Sequence, residues 1–330
     1  MFIDVRSEGE YDEAHIPEAV NIPLFTNEER RIIGTAYKHD SVSEARKLGI
    51  QFASARLPQI YERILLLKDN HEQQLVAYCA RGGYRSTFFA SAFSSIGVGV
   101  LKLDGGYKRY RQYIIDKIPE MNENLDYIVL HGNTGTGKTR ILKNLDELGM
   151  NVLDLEGAAN HRGSVLGSVG LGNCNSQKQF ESNIFHQIQS FRGHRVFVEA
   201  ESRKIGNVLI PQCIHEKMRE GVHILVEEDI DYRVSVIKED YTLKSGYKEE
   251  ILNSLSYLKK YLSKDKMDQL SLTIQAGNIE DAIADLMINY YDPLYSNKSD
   301  KYDYELVLSK IANPNKTAQS IKKWYDKFFI

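Results

Sequence analysis

The chain has 330 residues, enough for two or three domains. Hydrophobic residues make up 42% and charged residues 26%, as in soluble globular proteins, and no apolar run is long enough for a membrane span. The net charge of −3 excludes a chain that is basic throughout, so any contact with nucleic acid must come from a local basic surface.

Three widely separated cysteines argue against a disulfide framework and against a structural zinc site. We therefore expect a reducing compartment and a cytoplasmic protein that does not enter a membrane. Acidic residues and Pro17 interrupt the first segment, which is not typical of a signal peptide. Because the chain starts directly in a strand-like run, we expect a short native segment to be missing before Met1.

Strand-like and helical patterns alternate over residues 1–118, which predicts a parallel α/β sheet. The strand-like runs are 1–5, 19–22, 74–78 and 98–103, and helical spacing covers 43–67 and 86–95. A polar segment with one proline, 119–126, is predicted to be a linker.

A second α/β domain is predicted over 127–230. Its strand-like runs are 127–131, 151–155, 195–198 and 223–226, and a helix is predicted over 140–148. From 231 to 330, long amphipathic stretches predict a helical C-terminal extension that packs on the second domain.

Cys79 ends the third strand-like run and is followed by a loop that opens a helix. Backbone N–H groups and a helix N-terminus attract anions, and nearby arginines favour the thiolate. Glycines permit the tight turn that such a loop needs. A buried inert cysteine would not need these neighbours. We therefore predict that Cys79 is a nucleophile in an anion cradle made by Arg81, Gly82, Gly83, Tyr84, Arg85 and Ser86.

A second anion-binding loop has the pattern G-x-x-x-x-G-K-[ST] between an apolar strand and a helix, which predicts a phosphate-binding loop (P-loop). Its residues are Gly132, Asn133, Thr134, Gly135, Thr136, Gly137, Lys138 and Thr139. Lys138 supplies a positive charge, and the Thr139 hydroxyl can ligate Mg²⁺. The best second acidic residue is Glu199, where an ATPase more often has Asp. The pattern leaves open whether Mg²⁺ or ATP is used, and diphosphate binding without nucleotide hydrolysis is an alternative.

The cysteine loop by itself fits both thiol-based phosphatases and rhodaneses. The opening residues 2–6 (FIDVR), Glu10 and 15–23 (HIPEAVNIP), with the closing residues 103–107 (LDGGY), resemble a rhodanese domain over residues 1–118. Ala14 stands where that family usually has Gly. The residue before the cysteine is Tyr78, and phosphatases commonly have His there.

Four further segments are informative. Residues 27–30 and 34–38 form an insert that a simple rhodanese lacks, and 79–86 (CARGGYRS) is a distinctive version of the cysteine loop. In the P-loop half, 155–164 (LEGAANHRGS) and 199–206 (EAESRKIG) each follow a strand. With these segments, the chain resembles the tRNA 2-selenouridine synthase family over residues 1 to about 235. Val165-Leu166-Gly167 departs from the Ser-Phe-Gly-like run that is more frequent in that family.

The resemblance implies an enzyme that replaces the sulfur of wobble 2-thiouridine in tRNA with selenium from selenophosphate, through an S-geranylated intermediate formed with geranyl diphosphate. Cys79 would carry selenium as a selenopersulfide, and the P-loop would hold the diphosphate of geranyl diphosphate. His161, Arg162 and Glu199 would line a second site. The implied partners are tRNA and a selenophosphate source, with no tightly bound cofactor and no resident metal.

A basic and aromatic stretch around 102–113 is a candidate RNA contact, and a solvated helix face explains it equally well. Its residues are Lys102, Tyr107, Lys108, Arg109, Tyr110, Arg111 and Tyr113. Two other functions stay open at this point. One is a thiol-based phosphatase or sulfurtransferase fused to a P-loop kinase, and the other is a non-catalytic RNA-binding module.

Overall fold

The computed structural model describes residues 1–70, 74–164, 166–242, 246–293 and 302–329. Val165 lies outside these residues. The chain divides into two compact units: the first is Met1–Ile118 with Glu181–Asn183, and the second contains the other described residues. Across the described ranges, no helix is both long and apolar enough to cross a membrane.

The first unit is built on a four-stranded sheet in which every paired strand is parallel, as predicted. The strand order is β2-β1-β3-β4, so β1 and β3 are central. Because parallel strands all end at the same edge, the loops that follow β1 and β3 meet there. The strands are β1 (Phe2–Asp4), β2 (Val20–Asn21), β3 (Leu75–Tyr78) and β4 (Val100–Lys102).

Five helices accompany this sheet. Apolar side chains from one face of the sheet pack with helical side chains into one core, which includes Ile3, Ile64, Leu75 and Phe89. Tyr78, on the opposite face, packs in a second cluster with Tyr107. A capping box in which Thr26 and Glu29 exchange hydrogen bonds starts the second helix. The helices are α1 (Glu8–Glu13), α2 (Asn27–His39), α3 (Val42–Asn70), α4 (Tyr84–Ser94) and α5 (Gly106–Asn122).

The predicted linker 119–126 contains the end of α5, which passes through Pro119 and ends at Asn122. The next strand begins at Asp126. The helix continues because Ile114, Ile118 and Asn122 recur every fourth residue and are all buried. Polarity and one proline in this segment therefore did not end the helix, although the boundary between the two compact units falls between Ile118 and Pro119.

The second unit contains a five-stranded sheet in the order β11-β10-β5-β7-β6, with parallel pairing throughout. β5 is central, and its residues Tyr127–Leu130 are all buried, as in parallel strands covered on both faces. The strands are β5 (Asp126–His131), β6 (Val152–Leu153), β7 (Arg195–Glu199), β10 (Val222–Glu227) and β11 (Tyr304–Ser309). Between β7 and β10, β8 (Lys204–Ile205) and β9 (Val208–Leu209) form an antiparallel pair.

Helices surround this sheet and continue beyond it, and the prediction of a helical C-terminal end is confirmed. The first four are α6 (Lys138–Glu147), α7 (Leu155–Ala159), α8 (Gln177–Ser190) and α9 (Gln212–Glu220). The later ones are α10 (Ile230–Thr242), α11 (Tyr247–Leu255), a 3₁₀ turn (Ser256–Lys260), α12 (Lys264–Gln275), α13 (Ile279–Leu286), a π-helical turn (Met287–Tyr291) and α14 (Pro314–Phe329).

One part of the C-terminal region was not predicted. β11 pairs in parallel with β10 and forms the edge of the P-loop sheet, and Ala318 and Ile321 of α14 are buried in the same core. None of the six side chains of β11 is fully buried. An edge strand of this kind lacks the continuous apolar run by which the central strands were identified.

Candidate functional site

Cys79 lies directly after β3 and is 3% exposed. Its Sγ is 3.2 Å from the Ser86 Oγ, which lies in the first turn of α4. Burial alone would raise the pKa of the Cys79 thiol. The Ser86 hydroxyl, the backbone N–H groups of Ser86 and Arg81, and the charge of Arg85 outweigh burial, so the pKa is lowered. The loop therefore favours the thiolate.

Glycines bring a second segment against this loop. Tyr107 N–H donates to the Cys79 carbonyl oxygen at 2.9 Å, and Lys108 N–H donates to that of Ala80 at 2.9 Å. A Cβ on Gly106 would lie 2.2 Å from the Cys79 carbonyl oxygen, and Gly82 adopts a φ of +64°. The closing LDGGY motif thus packs directly against the cysteine loop. Its second glycine, Gly106, is required because any side chain there would collide with the loop backbone.

Arg85 is held by Glu10. Its two guanidinium nitrogens donate to the Glu10 carboxylate at 2.6 and 3.1 Å, and Arg30 contacts the same carboxylate at 2.9 Å. Burial would raise the pKa of Glu10, but the hydrogen bonds and charge of Arg85, followed by the charge of Arg30, lower it. Arg85 is therefore fixed beside Cys79 by an ionised carboxylate.

The other predicted cradle residues contribute in different ways. Ser86 is buried, and Gly83 precedes α4 with nothing within 4 Å of the position a Cβ would take. The side chains of Arg81 and Tyr84 are exposed. Tyr84 can therefore belong to the cradle only through its backbone.

The basic and aromatic stretch does not present all its rings to solvent. Tyr107 is 7% exposed and packs against Tyr78, with the Arg6 guanidinium 4.2 Å from its ring centroid. The expectation that Tyr107 could stack on a base is wrong, because this ring is part of the core. Tyr113, Lys108 and Arg109 are exposed.

The P-loop joins β5 to α6, and three of its glycines have positive φ: Gly132, Gly135 and Gly137. Cβ atoms on Gly132 and Gly135 would lie 2.6 and 2.7 Å from backbone carbonyl oxygens of β10 and α10. Gly137 precedes α6 and supplies no side-chain cap. The first N–H groups of α6 are thus available to an anion.

The charged and hydroxyl groups of the P-loop are at the start of α6. Lys138 Nζ donates to the carbonyl oxygens of Gly132 and Asn133 at 2.8 and 3.3 Å. Thr139 Oγ1 lies 3.2 Å from a Glu156 oxygen and 3.5 Å from a Glu199 oxygen. The predicted second acidic residue, Glu199, therefore stands beside the P-loop, at the end of β7.

Three carboxylates crowd at this position. Ligand atoms of Glu156, Glu199 and Glu201 lie within 4.8 Å of one another. Burial, followed by the charge of Glu201, raises the pKa of Glu156 to about 8. Burial, followed by the charge of Glu156, raises the pKa of Glu199 well above its usual range. Negative charge is costly here unless a cation balances it.

These residues could hold a divalent cation. Glu199 is 1% exposed, and its Oε1 has no hydrogen-bond partner among the described residues. Hydroxyl and carboxylate oxygens are the ligands that Mg²⁺ prefers. The motif spacing identified Thr139 as a possible Mg²⁺ ligand and Glu199 as the second acidic residue, but it did not identify Glu156. Its position after β6, whose carboxyl end meets the same sheet edge as β5 and β7, was the available signal.

His161 and Arg162 are placed in the segment after α7. Cβ atoms on Gly167 and Gly206 would lie 2.6 and 2.8 Å from the His161 ring, and its Nδ1 is buried without a partner among the described residues. Burial, followed by the charge of Arg162, lowers the pKa of His161. Arg162 donates to the carbonyl oxygens of Val169 and Asp240 at 2.6 and 3.1 Å. These contacts brace the backbone of the segment.

The same segment reaches the carboxylates through its backbone. A Cβ on Gly163, whose φ is +61°, would lie 2.8 Å from the Glu201 carboxylate and 2.9 Å from that of Glu156. The segment 155–164 therefore contributes the Glu156 side chain to the carboxylate cluster, and its backbone at Gly163 lies against the same cluster. His161 and Arg162 directly precede Gly163 in the chain.

Comparisons with known proteins cover both units. Residues 1–113 match the model of the rhodanese-like domain, and residues 125–327 match that of the tRNA 2-selenouridine synthase AAA domain. A tRNA 2-selenouridine synthase of Pseudomonas fluorescens is 31% identical over 89% of this chain and 87% of its own length. One of Hydrogenovibrio crunogenus is 32% identical over 91% and 89%. One of Nitrosomonas europaea is 35% identical over 73% of this chain and 63% of its own length.

The family model of the AAA domain spans more than half of the chain, and relatives above 30% identity align along most of both lengths. Both candidate loops, Cys79–Ser86 and Gly132–Thr139, lie within the matched domains. The chain belongs to the tRNA 2-selenouridine synthase family.

Proposed function

We propose that this chain is a tRNA-modifying transferase that replaces the sulfur of a wobble 2-thiouridine with selenium. The observation that carries the proposal is the Cys79 loop, in which hydrogen bonds and a fixed arginine outweigh burial and lower the pKa of the thiol. The names of the relatives support the tRNA substrate and the selenium chemistry. We also propose that selenophosphate is the selenium source and that the reaction takes place in the cytoplasm.

Cys79 is the proposed selenium carrier. A selenopersulfide is an anion at the end of the cysteine side chain, and it can accept hydrogen bonds from the N–H groups that favour the thiolate. The Ser86 hydroxyl, 3.2 Å from Sγ, and the Arg85 guanidinium add to this stabilisation. The groups that favour the Cys79 thiolate would therefore also stabilise the selenopersulfide.

The P-loop is the proposed site for the diphosphate of geranyl diphosphate. The N–H groups at the start of α6 and Lys138 offer the positive field that a diphosphate needs. Thr139, Glu156 and Glu199 would hold Mg²⁺, which would neutralise the leaving diphosphate. In geranyl transfer the uridine sulfur forms a bond to the geranyl carbon, and the carbon–oxygen bond to diphosphate breaks.

The selenium step is then a substitution at C2 of the base. A C2–Se bond forms, the C2–S bond breaks, and sulfur leaves with its electron pair and a proton as geranyl thiol. Loading of Cys79 forms the S–Se bond and breaks the Se–P bond of selenophosphate, whose phosphoryl group passes to water as phosphate. This step oxidises the thiolate and the selenide-level selenium by two electrons in total, which a small-molecule disulfide accepts as it becomes two thiols. After selenium has bonded to C2, two such thiols reduce the S–Se bond and restore both the disulfide and the Cys79 thiol, so the overall exchange consumes no oxidant or reductant. Alkylation helps because a thiol leaves more readily from C2 than a sulfide ion.

A phosphatase reading of the Cys79 loop is less well supported. A thiol-based phosphatase needs a general acid beside the leaving group. Glu10, which pairs with Arg85, has a lowered pKa and two arginine partners, so it stays ionised. This carboxylate is suited to fixing an arginine and unsuited to donating a proton.

The test is to incubate the full chain with tRNA containing wobble 2-thiouridine, selenophosphate and geranyl diphosphate in a thiol–disulfide buffer, and to identify the nucleosides by mass spectrometry. We expect selenouridine from the native chain and from Cys213→Ser, since burial raises the pKa of Cys213. We expect none from Cys79→Ser. Selenouridine formed at the native rate by Cys79→Ser would exclude the carrier role. Hydrolysis of a generic phosphate ester that depends on Cys79 would favour the phosphatase.

A further inference from the structure

Tyr84 is the most exposed large apolar side chain of the described residues, at 76%. It is the first residue of α4, so its backbone follows the cysteine loop directly while its ring points to solvent. The placement of this ring is not explained by packing in the core. Its only described side-chain contacts are with Arg46.

Arg46 lies on α3, in the part of the first unit that separates β2 from β3. Its Nη2 donates to the Tyr84 hydroxyl at 3.0 Å, and its guanidinium carbon lies 5.4 Å from the ring centroid. These two contacts fix the orientation of the ring and cover one of its faces. The high exposure of Tyr84 means that the other face is open to solvent.

Tyr84 is close to the reactive thiol along the chain. Ser86, two residues after Tyr84, contacts Cys79 Sγ at 3.2 Å. Gly83, on the other side of Tyr84, is exposed and has nothing within 4 Å of its Cβ position. A planar group stacked on Tyr84 would therefore reach the opening of the loop without meeting a side chain at Gly83.

We propose that Tyr84 and Arg46 form a stacking platform for an unpaired RNA base at the opening of the Cys79 loop. An open aromatic face backed by a guanidinium is the arrangement that stacks single-stranded bases. The exposed side chains of Arg46 and Arg81 add positive charge for the neighbouring phosphates. This inference rests on the proposed function, since it assigns a place to the RNA substrate. It makes Tyr84 a positioning residue.

The experiment measures the Kd of the full chain for an anticodon stem-loop with wobble 2-thiouridine, by fluorescence anisotropy, and the KM and kcat for selenouridine formation. The variants are Tyr84→Ala, Tyr84→Trp and Arg46→Ala. The control is Tyr257→Ala, which removes a ring that is 70% exposed in the second unit. Selenium loading of Cys79 is followed separately by peptide mass spectrometry.

Stacking on one aromatic ring predicts a rise in Kd and KM of about tenfold in Tyr84→Ala, with a smaller rise in Arg46→Ala. Tyr84→Trp should bind as the native chain does, and Tyr257→Ala should change neither constant. The proposal would be overturned if Tyr84→Ala bound normally, if Trp failed to rescue, or if Tyr84→Ala lost selenium loading, which would make the ring part of the cradle.

Failure of the platform and failure of the proposed function would give different results. If native Cys79 takes up no selenium and no selenouridine forms, the proposed function is wrong, while the Kd series still tests the platform. If selenouridine forms but the Kd and KM do not depend on Tyr84, the platform is wrong and the proposed function stands. Absence of any RNA binding by the native chain would overturn the platform as well.

Discussion

The two loops share one plan, a parallel strand followed by a loop and a helix, but their charges are balanced differently. Around Cys79 the positive groups are already arranged, because Arg85 is fixed by an ionised Glu10 and the pKa of the thiol is lowered. Around the P-loop, Glu156, Glu199 and Glu201 crowd together, and the pKa values of Glu156 and Glu199 are raised.

This difference indicates two modes of action. The cysteine loop is organised to hold negative charge on its own sulfur. The P-loop region carries an excess of buried carboxylate that a divalent cation would relieve. We infer that the first loop works by a preformed cradle, and that the second completes its site when it binds a cation and a diphosphate.

The largest expected effect comes from removing the close approach that shapes the cysteine loop. In Gly106→Ala the new Cβ would lie 2.2 Å from the Cys79 carbonyl oxygen and 2.4 Å from Gly82 N, so the loop must shift. We expect the free energy of unfolding to fall by more than about 3 kcal/mol, with loss of selenium loading. Thermal denaturation and peptide mass spectrometry measure the two effects.

Two alanine substitutions serve as controls for this prediction. Gly97 has a φ of +84° with nothing within 4 Å, so Gly97→Ala should cost only about 1 kcal/mol. Gly83→Ala has space and an ordinary φ, so it should fold as the native chain does. Equal destabilisation by all three would show that close approach at Gly106 is not the cause.

Lys138→Ala is expected to weaken geranyl diphosphate binding by about 10- to 100-fold, because it removes a charged hydrogen-bond donor to phosphate. Isothermal titration calorimetry measures the Kd. Lys143→Ala, which removes an exposed lysine farther along α6, is the matched control and should leave the Kd within about twofold. Equal Kd values for Lys138→Ala and the native chain would remove the P-loop from diphosphate binding.

The crowded carboxylates predict a pH-dependent stability. A carboxyl whose pKa is raised on folding binds its proton more tightly in the folded state, so it favours folding at low pH and this advantage is lost as the pH rises. For Glu156, whose pKa is raised from 4.5 to about 8, the loss falls between those values. In EDTA, the melting temperature should therefore decrease across this range.

Mg²⁺ should offset that decrease at pH 8 by several degrees, since it binds the ionised folded state. Glu156→Gln should flatten the pH dependence and weaken the Mg²⁺ effect. Glu216→Gln, at an exposed carboxylate of α9, is the control. If the melting temperature of the native chain were the same with and without Mg²⁺, this cluster would not hold the cation.

The smallest effect concerns the pKa of Cys79. Ser86→Ala removes the hydroxyl 3.2 Å from Sγ and so should raise the pKa of the thiol. The pH profile of iodoacetamide alkylation at Cys79 should move to higher pH, with little change in stability. Ser95→Ala, at the end of α4, should leave the profile in place. An unchanged profile in Ser86→Ala would show that the backbone N–H groups and the charge of Arg85 set the pKa without the hydroxyl.

Much of the fold was predictable because central parallel strands are continuous apolar runs. Tyr127–Leu130 and Leu75–Tyr78 were found in this way. β11 was not, because its side chains are only partly buried and its pairing depends on β10, which lies nearly eighty residues earlier. The continuation of α5 through Pro119 depended on the burial of Ile114, Ile118 and Asn122, which residue polarity does not reveal.

The candidate sites show the same limit. The two loops are local in sequence, so their glycines, Lys138 and Cys79 could be identified from spacing. The pairing of Arg85 with Glu10 joins residues 75 positions apart, and Glu156 meets Thr139 across 17 positions. Tyr107 was misread as an available ring because its sequence neighbours are basic, whereas its environment is set by Arg6 and Tyr78. Contacts between distant segments require the fold.

The most direct test of the central claim is the selenium content of Cys79 itself. The full chain is incubated with selenophosphate and a small-molecule disulfide as the two-electron acceptor, digested without reductant, and the peptide containing Cys79 is examined by mass spectrometry. One selenium atom is expected on this peptide, and its transfer is expected when tRNA, geranyl diphosphate and a thiol are added. Selenouridine formed at full rate while no selenium is ever found on Cys79 would contradict the account.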